Sequence, residues 1–131
     1  MSEAIRVLIV DDSNYVRLVL KRMLSQAEGI EVAGVAADGH EAMRMAARLR
    51  PDVITLDVEM PRLNGLGVLK QLLPHNPIPV IMLSSLTQRG AQVTLEALDL
   101  GAVDFMGKPG SASVPDLRAV ERQLITKIRT A

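Results

Sequence analysis

VITLDVEMPRLNG, residues 53–65, is the stretch that decides the fold. Val53-Ile54-Thr55-Leu56 is a short apolar run, rich in β-branched residues and without helical periodicity. A run of that kind suits a strand buried on both faces, as in a parallel sheet covered by helices on each side. The run stops at Asp57, and Pro61, Asn64 and Gly65 then mark a loop. A carboxylate at the carboxyl end of a buried strand is poorly solvated. It must pair, bind a cation or react.

Outward from this stretch the chain repeats one unit. Ile5–Val10 (IRVLIV) reads as a first strand ending in Asp11-Asp12-Ser13. Ser13 can cap a helix on which Val16, Val19, Leu20, Met23 and Leu24 recur at helical spacing, and Gly29 ends it. Residues 30–36 form a second strand. Asp38 and Glu41 are a capping pair that opens a helix to about Leu49. After the third strand, Leu66, Leu69, Leu72 and Leu73 mark a helix that stops near Pro74 and Pro77. Residues 80–83 are a fourth strand ending in Ser84-Ser85, and residues 88–100 a fourth helix closed by Gly101. Residues 102–106 are a fifth strand, followed by Gly107-Lys108-Pro109-Gly110 and a small-residue loop. The last helix carries Leu117, Val120, Leu124 and Ile128 on one face. Five βα units with short connections imply an α/β, doubly wound parallel sheet with right-handed crossovers. Ligands of such sheets bind beyond the carboxyl ends of the strands, where strand order reverses. Asp11, Asp12, Asp57, Ser84 and Lys108 all fall at those ends.

A chain of 131 residues with 48% hydrophobic content is one domain with a sizeable core. Tyr15 and Phe105 are its only aromatics, so the core is aliphatic and no platform for stacking bases exists. Lys plus Arg equals Asp plus Glu at 15 each, which points to neither nucleic acid nor an anionic membrane as an obligatory partner. Cysteine is absent, which excludes disulfides and thiolate metal sites. No apolar run approaches a membrane span and no signal peptide opens the chain, so a cytoplasmic protein without membrane insertion is expected.

Asp11, Asp12 and Asp57 would crowd negative charge at one place, which a hard cation such as Mg²⁺ relieves through oxygen ligands. The alternative for Asp11 and Asp12 is helix capping, which Ser13 already supplies and which does not account for Asp57. Asp57 could also be a structural strand-end aspartate. Beside an acidic pair and a Lys-Pro it reads better as a nucleophile that accepts a phosphoryl group, with Mg²⁺ and Lys108 neutralising the oxygens in transfer. Read alone, Lys108 would be a solvated loop lysine, Ser84 a cap or turn hydroxyl, and Phe105 a core residue. In this company Ser84 can hydrogen-bond a phosphoryl oxygen, and Phe105 can be a ring with inward and outward positions. His40 and His75 are isolated and read as surface residues, and no zinc-ligand spacing occurs. The methionines read as core filler, Met60 in the Asp57 loop excepted. No nucleotide-binding glycine motif and no nucleophile elbow is present.

These residues together resemble the receiver domain of two-component response regulators over essentially the whole chain. TLDVEMPRLNGL (55–66), LSSLTQRGA (83–91) and LDLGAVDFMGKP (98–109) resemble one branch more narrowly, the receivers of chemotaxis protein-glutamate methylesterases (CheB type). The tail LITKIRTA (124–131) is similar to the start of the linker in that branch. The resemblance implies a flavodoxin-like strand order 2-1-3-4-5 with five helices. It implies phosphorylation at Asp57 by a chemotaxis-type histidine kinase. Mg²⁺ would be held by Asp12, Asp57 and the Glu59 backbone carbonyl, with Asp11 acting through water. Ser84 and Lys108 would contact the phosphoryl group, and Ser84 and Phe105 would form the switch. Gly107 stands where the family commonly has a larger residue, which predicts a looser loop there. Asn64 stands where Asp is frequent.

The implied organisation is a receiver over 1–123, with 124–131 ending the last helix and leading into an interdomain linker. The parent's methylesterase domain, which acts on chemoreceptors and resembles enzymes that also deamidate glutamines, is absent from this chain. Two further readings stand beside it in signalling and catalysis: a free-standing receiver that docks on another target, and a small Mg²⁺-dependent phosphohydrolase with Asp57 as nucleophile. A flavodoxin-like cofactor binder is a third, but Asp11 and Asp12 after the first strand would repel a phosphate.

Overall fold

The computed structural model describes residues 3–60, 63–85, 88–109 and 116–131, and for residues 88–90 the backbone alone. Pro61, Arg62, Leu86, Thr87 and Gly110 of the runs quoted above lie outside the described residues. Ten elements alternate: β1 (Ile5–Val10), α1 (Asn14–Gln26), β2 (Ile30–Ala36), α2 (Gly39–Leu49), β3 (Val53–Asp57), α3 (Gly65–Leu72), β4 (Val80–Ser84), α4 (Gln88–Leu100), β5 (Asp104–Gly107) and α5 (Leu117–Thr130). The strands pair in parallel, as the repeating βα units imply, and in the order β2-β1-β3-β4-β5 that the receiver resemblance implies.

Every residue of β3 and β4 is buried, because each sheet face is covered by helices. On one face Val7, Ile9, Val53, Ile81 and Leu83 pack against Val16, Leu20 and Leu24 of α1 and Val120, Leu124 and Ile128 of α5. On the other, Leu8, Val10, Ile54, Leu56 and Met82 pack against Ala42 and Ala46 of α2, Val68, Leu69 and Leu72 of α3 and Ala97 of α4. Met60, set apart from the core methionines in the sequence, is buried in this second core.

Side chains start the helices, at Ser13 and Asp38 where the sequence placed caps and also at Asn64, which the sequence marked only as a loop residue. Ser13 Oγ accepts from Val16 N at 3.3 Å, Asp38 Oδ1 from Glu41 N at 2.8 Å, and Asn64 Oδ1 from Gly67 N at 3.0 Å. Each satisfies one of the amide groups that a helix N-terminus leaves without a partner. Asn64 thus does the work of the more frequent Asp.

Three local expectations shift. α1 ends at Gln26 rather than at Gly29, which instead takes φ +79° in the turn before β2. β5 begins at Asp104, two residues later than its apolar run, because Gly101 (φ +119°) and the bonds Ala102 N to Ala97 O and Val103 N to Val80 O complete a turn first. Its end extends to Gly107, which is buried and paired with Ser84, so the predicted looser loop is strand. Leu117 leaves the buried stripe of α5 and is 40% exposed. In the first turn of α5 it lies beside α1, where with Tyr15, Leu18, Val19 and Met23 it lines a groove of about 310 Å³. Among the described residues no helix is long and apolar enough to cross a membrane.

Leu124→Ala is expected to lower unfolding free energy by about 2–5 kcal/mol, while Leu117→Ala changes it by no more than about 0.5 kcal/mol. Urea unfolding of the two variants beside wild type measures both.

Candidate functional site

β1 and β3 are neighbours in the order-reversing middle of the sheet, and Val10 is the Cα partner of Leu56. The next residue of each strand is an aspartate, so Asp11 and Asp57 emerge side by side. Asp11 is 0% and Asp57 1% exposed, whereas Asp12 faces solvent at the pocket mouth. One carboxylate oxygen from each of Asp11, Asp12 and Asp57 lies within 4.8 Å of the others.

Lys108 reaches this cluster from β5. Its backbone N–H donates to Ser84 O at 2.8 Å, which continues the β4–β5 ladder beyond Gly107 and aims the side chain over the strand ends. Lys108 Nζ donates to Asp57 Oδ2 and to Asp11 Oδ1, both at 3.2 Å. Asp11 Oδ2 is equally close to Nζ, at 3.2 Å, yet is buried and has no hydrogen-bond partner. Backbone amides meet the cluster too: Asp57 Oδ1 accepts from Glu59 N at 3.0 Å, and Asp11 Oδ1, already bound by Lys108, also accepts from Ser13 N at 2.9 Å.

Charge at the site is unbalanced. Burial, and then the neighbouring Asp11 carboxylate, push Asp57 up to about 7, against which Lys108 and the Glu59 amide act only partly. Burial likewise raises Asp11, opposed by the Ser13 amide and Lys108. Burial pulls the Lys108 ammonium down, but Asp57 and Asp11 more than offset it, and its pKa stands above the ordinary lysine value. Two buried carboxylates on one ammonium, with the Asp12 carboxylate beside them and one buried Asp11 oxygen without a hydrogen-bond partner, are a hard-oxygen donor set. They fit a divalent cation that favours oxygen ligands.

The structure therefore brings together Asp11, Asp12, Asp57 and Lys108, with the Glu59 backbone and Ser84 at their edge. Ser84 is buried at the end of β4. Phe105 stands apart: its ring is 43% exposed and, with Ala91, Thr94 and Leu95, lines a hollow of about 180 Å³ against α4. His40 and His75 are exposed, as expected. Sequence reasoning missed Arg17, whose Nη1 donates to Asp11 O at 2.7 Å and whose Nη2 bonds Asn14 Oδ1. A cation in the first turn of a helix opposes the helix dipole, and that was a readable signal that Arg17 has a partner. It missed Gly65 too. A Cβ there would lie 2.6 Å from Asp57 O, so only glycine lets α3 start against the backbone of Asp57.

The family described as response regulator receiver domain matches residues 7–119. This chain belongs to that family. The receiver superimposes on the response regulator domain of Thermotoga maritima CheB with a TM-score of 0.88 and 49% identity, covering 98% of this chain and 96% of that one. A CheY of Borrelia burgdorferi, solved in a CheX–CheY–BeF3–Mg²⁺ complex, gives a TM-score of 0.78 at 30% identity over 95% of this chain and 89% of that one. The protein-glutamate methylesterase/protein-glutamine glutaminase of Pyrococcus abyssi is 50% identical over 127 residues, 97% of this chain and 34% of that protein. The enzyme of the same description from Bacillus licheniformis is 50% identical over 127 residues, 97% of this chain and 36% of its own length. The receiver is thus of the CheB type, and it spans about a third of the length of the curated relatives it matches.

The raised Asp57 pKa fixes the sign of one pH effect. In the metal-free receiver Asp57 stays protonated up to about 7 while the unfolded chain has already lost that proton near 3.8, so stability falls as pH rises between them. Asp57→Asn removes this contribution. With chelator present, the variant's stability advantage over wild type is expected to grow from about pH 4 to about pH 8, and urea unfolding across that range measures it.

Proposed function

We propose that this receiver accepts a phosphoryl group on Asp57 from the phosphohistidine of a chemotaxis-type histidine kinase. The observation that carries the proposal is the buried Asp57 carboxylate, held against Lys108 and Asp11 with Asp12 alongside, at the strand ends of a receiver fold. Mg²⁺ is the proposed cation, held directly by Asp12, Asp57 and the Glu59 carbonyl and through water by Asp11. Its bound charge would neutralise the phosphoryl oxygens that the carboxylate must approach.

The chain's own residues do the rest. An ionised Asp57 oxygen attacks phosphorus, and the phosphorus–nitrogen bond of the donor breaks as the acyl phosphate forms. The Glu59 amide holds Asp57 Oδ1 and so orients the carboxylate for attack. Lys108 Nζ, shared between Asp57 and Asp11, exchanges its bond to Asp57 for one to the phosphoryl group. Ser84 turns its hydroxyl toward the new acceptor, and space opens for Phe105 to turn inward from its exposed position. The α4–β5–α5 face then changes its contacts. The output is an attached protein-glutamate methylesterase domain that acts on chemoreceptors in the cytoplasm. The names and greater length of the relatives support that reading. The phosphohydrolase and cofactor-binder readings find no support in the family.

Intact mass after incubation with a small acyl phosphate tests the central claim. One base-labile phosphoryl group is expected with Mg²⁺, and none with chelator or in Asp57→Asn. Rapid release of free phosphate without an adduct would overturn it.

A further inference from the structure

The chain that leaves Asp57 must come back to start α3. Gly65 N donates to Val58 O at 3.2 Å, which closes the loop at its base. Within it lies Glu59, whose amide is bound to Asp57 Oδ1. At its far end is Leu63, half-buried against the core shared by α2 and α3. A Cβ on Gly39, the first residue of α2, would sit 2.4 Å from Leu63 O and 2.9 Å from Leu63 Cβ. A Cβ on Gly67, in the first turn of α3, would sit 2.4 Å from Leu63 Cδ1. A methyl at Gly39 would strike the Leu63 carbonyl, which is backbone and cannot give way cheaply, whereas one at Gly67 would push aside the end of the Leu63 side chain. Glycine weakens a helix relative to alanine.

We propose that Leu63, seated between Gly39 of α2 and Gly67 of α3, is a positioning residue that fixes the loop leaving Asp57 and so the Glu59 backbone that borders the cation site. The proposal rests on the phosphoryl-accepting reading above. It makes α2, which carries none of the pocket residues, the reference against which the pocket is aligned. Groups that orient ligands matter to metal sites even though they never touch the ion.

Calorimetric titration with Mg²⁺ at about pH 8, on the whole chain, is the test. Leu63→Ala is expected to weaken Mg²⁺ binding about tenfold and Leu63→Val less. Gly67→Ala alone weakens it as well, because its methyl displaces Leu63 Cδ1. In Leu63→Ala/Gly67→Ala the new methyl refills the vacated space, and affinity recovers above that of Leu63→Ala. Phosphoryl uptake at saturating Mg²⁺ returns close to wild type in every variant. Circular dichroism confirms that each variant is folded, and Leu63→Val supplies the reading if Leu63→Ala is not. Unchanged Mg²⁺ affinity in the folded Leu63 variants, or no recovery in the double variant, overturns the proposal. A wild type that binds Mg²⁺ but takes no phosphoryl group would overturn the functional reading while leaving the positioning role measurable in the same titration. A wild type that binds no Mg²⁺ overturns both.

Discussion

Two carboxylates from neighbouring strands, Asp11 and Asp57, share a single ammonium from Lys108 inside a pocket where both acids are buried. In that setting each missing positive charge matters more than it would in water. The ion pair is incomplete by construction: burial first, then a neighbouring carboxylate (Asp11 for Asp57, Asp12 for Asp11), holds both aspartates above the ordinary carboxylate range even with Lys108 in place. A site left short of positive charge is a site ready to take up a cation, and with it a phosphoryl group. Lys108 is held by both acids at once, at 3.2 Å each, and so among the described residues is the one positive charge over the pair.

That arrangement depends on parallel pairing. Only when β1, β3, β4 and β5 run the same way do Asp11, Asp57, Ser84 and Lys108 leave the sheet at one edge. The main chain sets the details. Ser84 carries Lys108 through its carbonyl, Gly65 lets α3 begin against Asp57, and Arg17 returns to hold the Asp11 carbonyl. Phe105 sits on the edge strand β5, two strands from Asp57, and is exposed. Next to it, Asp104 caps the Phe105 amide and pairs with Lys127 of α5 at 3.0 Å. That pair is partly exposed and adds little stability. It does tie β5 to α5 at the place where a turning ring would be felt.

Composition conceals one feature that the fold displays. The chain is neutral, yet α1 carries Arg17, Lys21 and Arg22 without an acidic residue, and α5 carries Arg118, Arg122, Lys127 and Arg129 against Glu121 alone. Both helices cover the same sheet face, so positive charge gathers there and the acids gather elsewhere, the pocket among them. A whole-chain sum averages over what topology separates.

Most of the fold was readable because its signals are local. Periods of two and 3.6 residues, caps at Ser13 and Asp38, and breaks at proline and glycine depend on a few neighbouring residues. The sequence by itself therefore determined the βα order, the parallel sheet and the aspartates, serine and lysine at its edge. It did not determine the start of β5, where a glycine turn consumes apolar residues. Nor did it place Leu117 outside the core or show that Leu63 lies against two glycines. Those outcomes turn on atoms brought together from distant parts of the chain. The unbalanced charge at Asp57 belongs with them. An aspartate's type is written in the sequence, but its pKa follows from burial and from neighbours 46 and 51 residues away, Asp11 and Lys108, which only the folded sheet puts within reach.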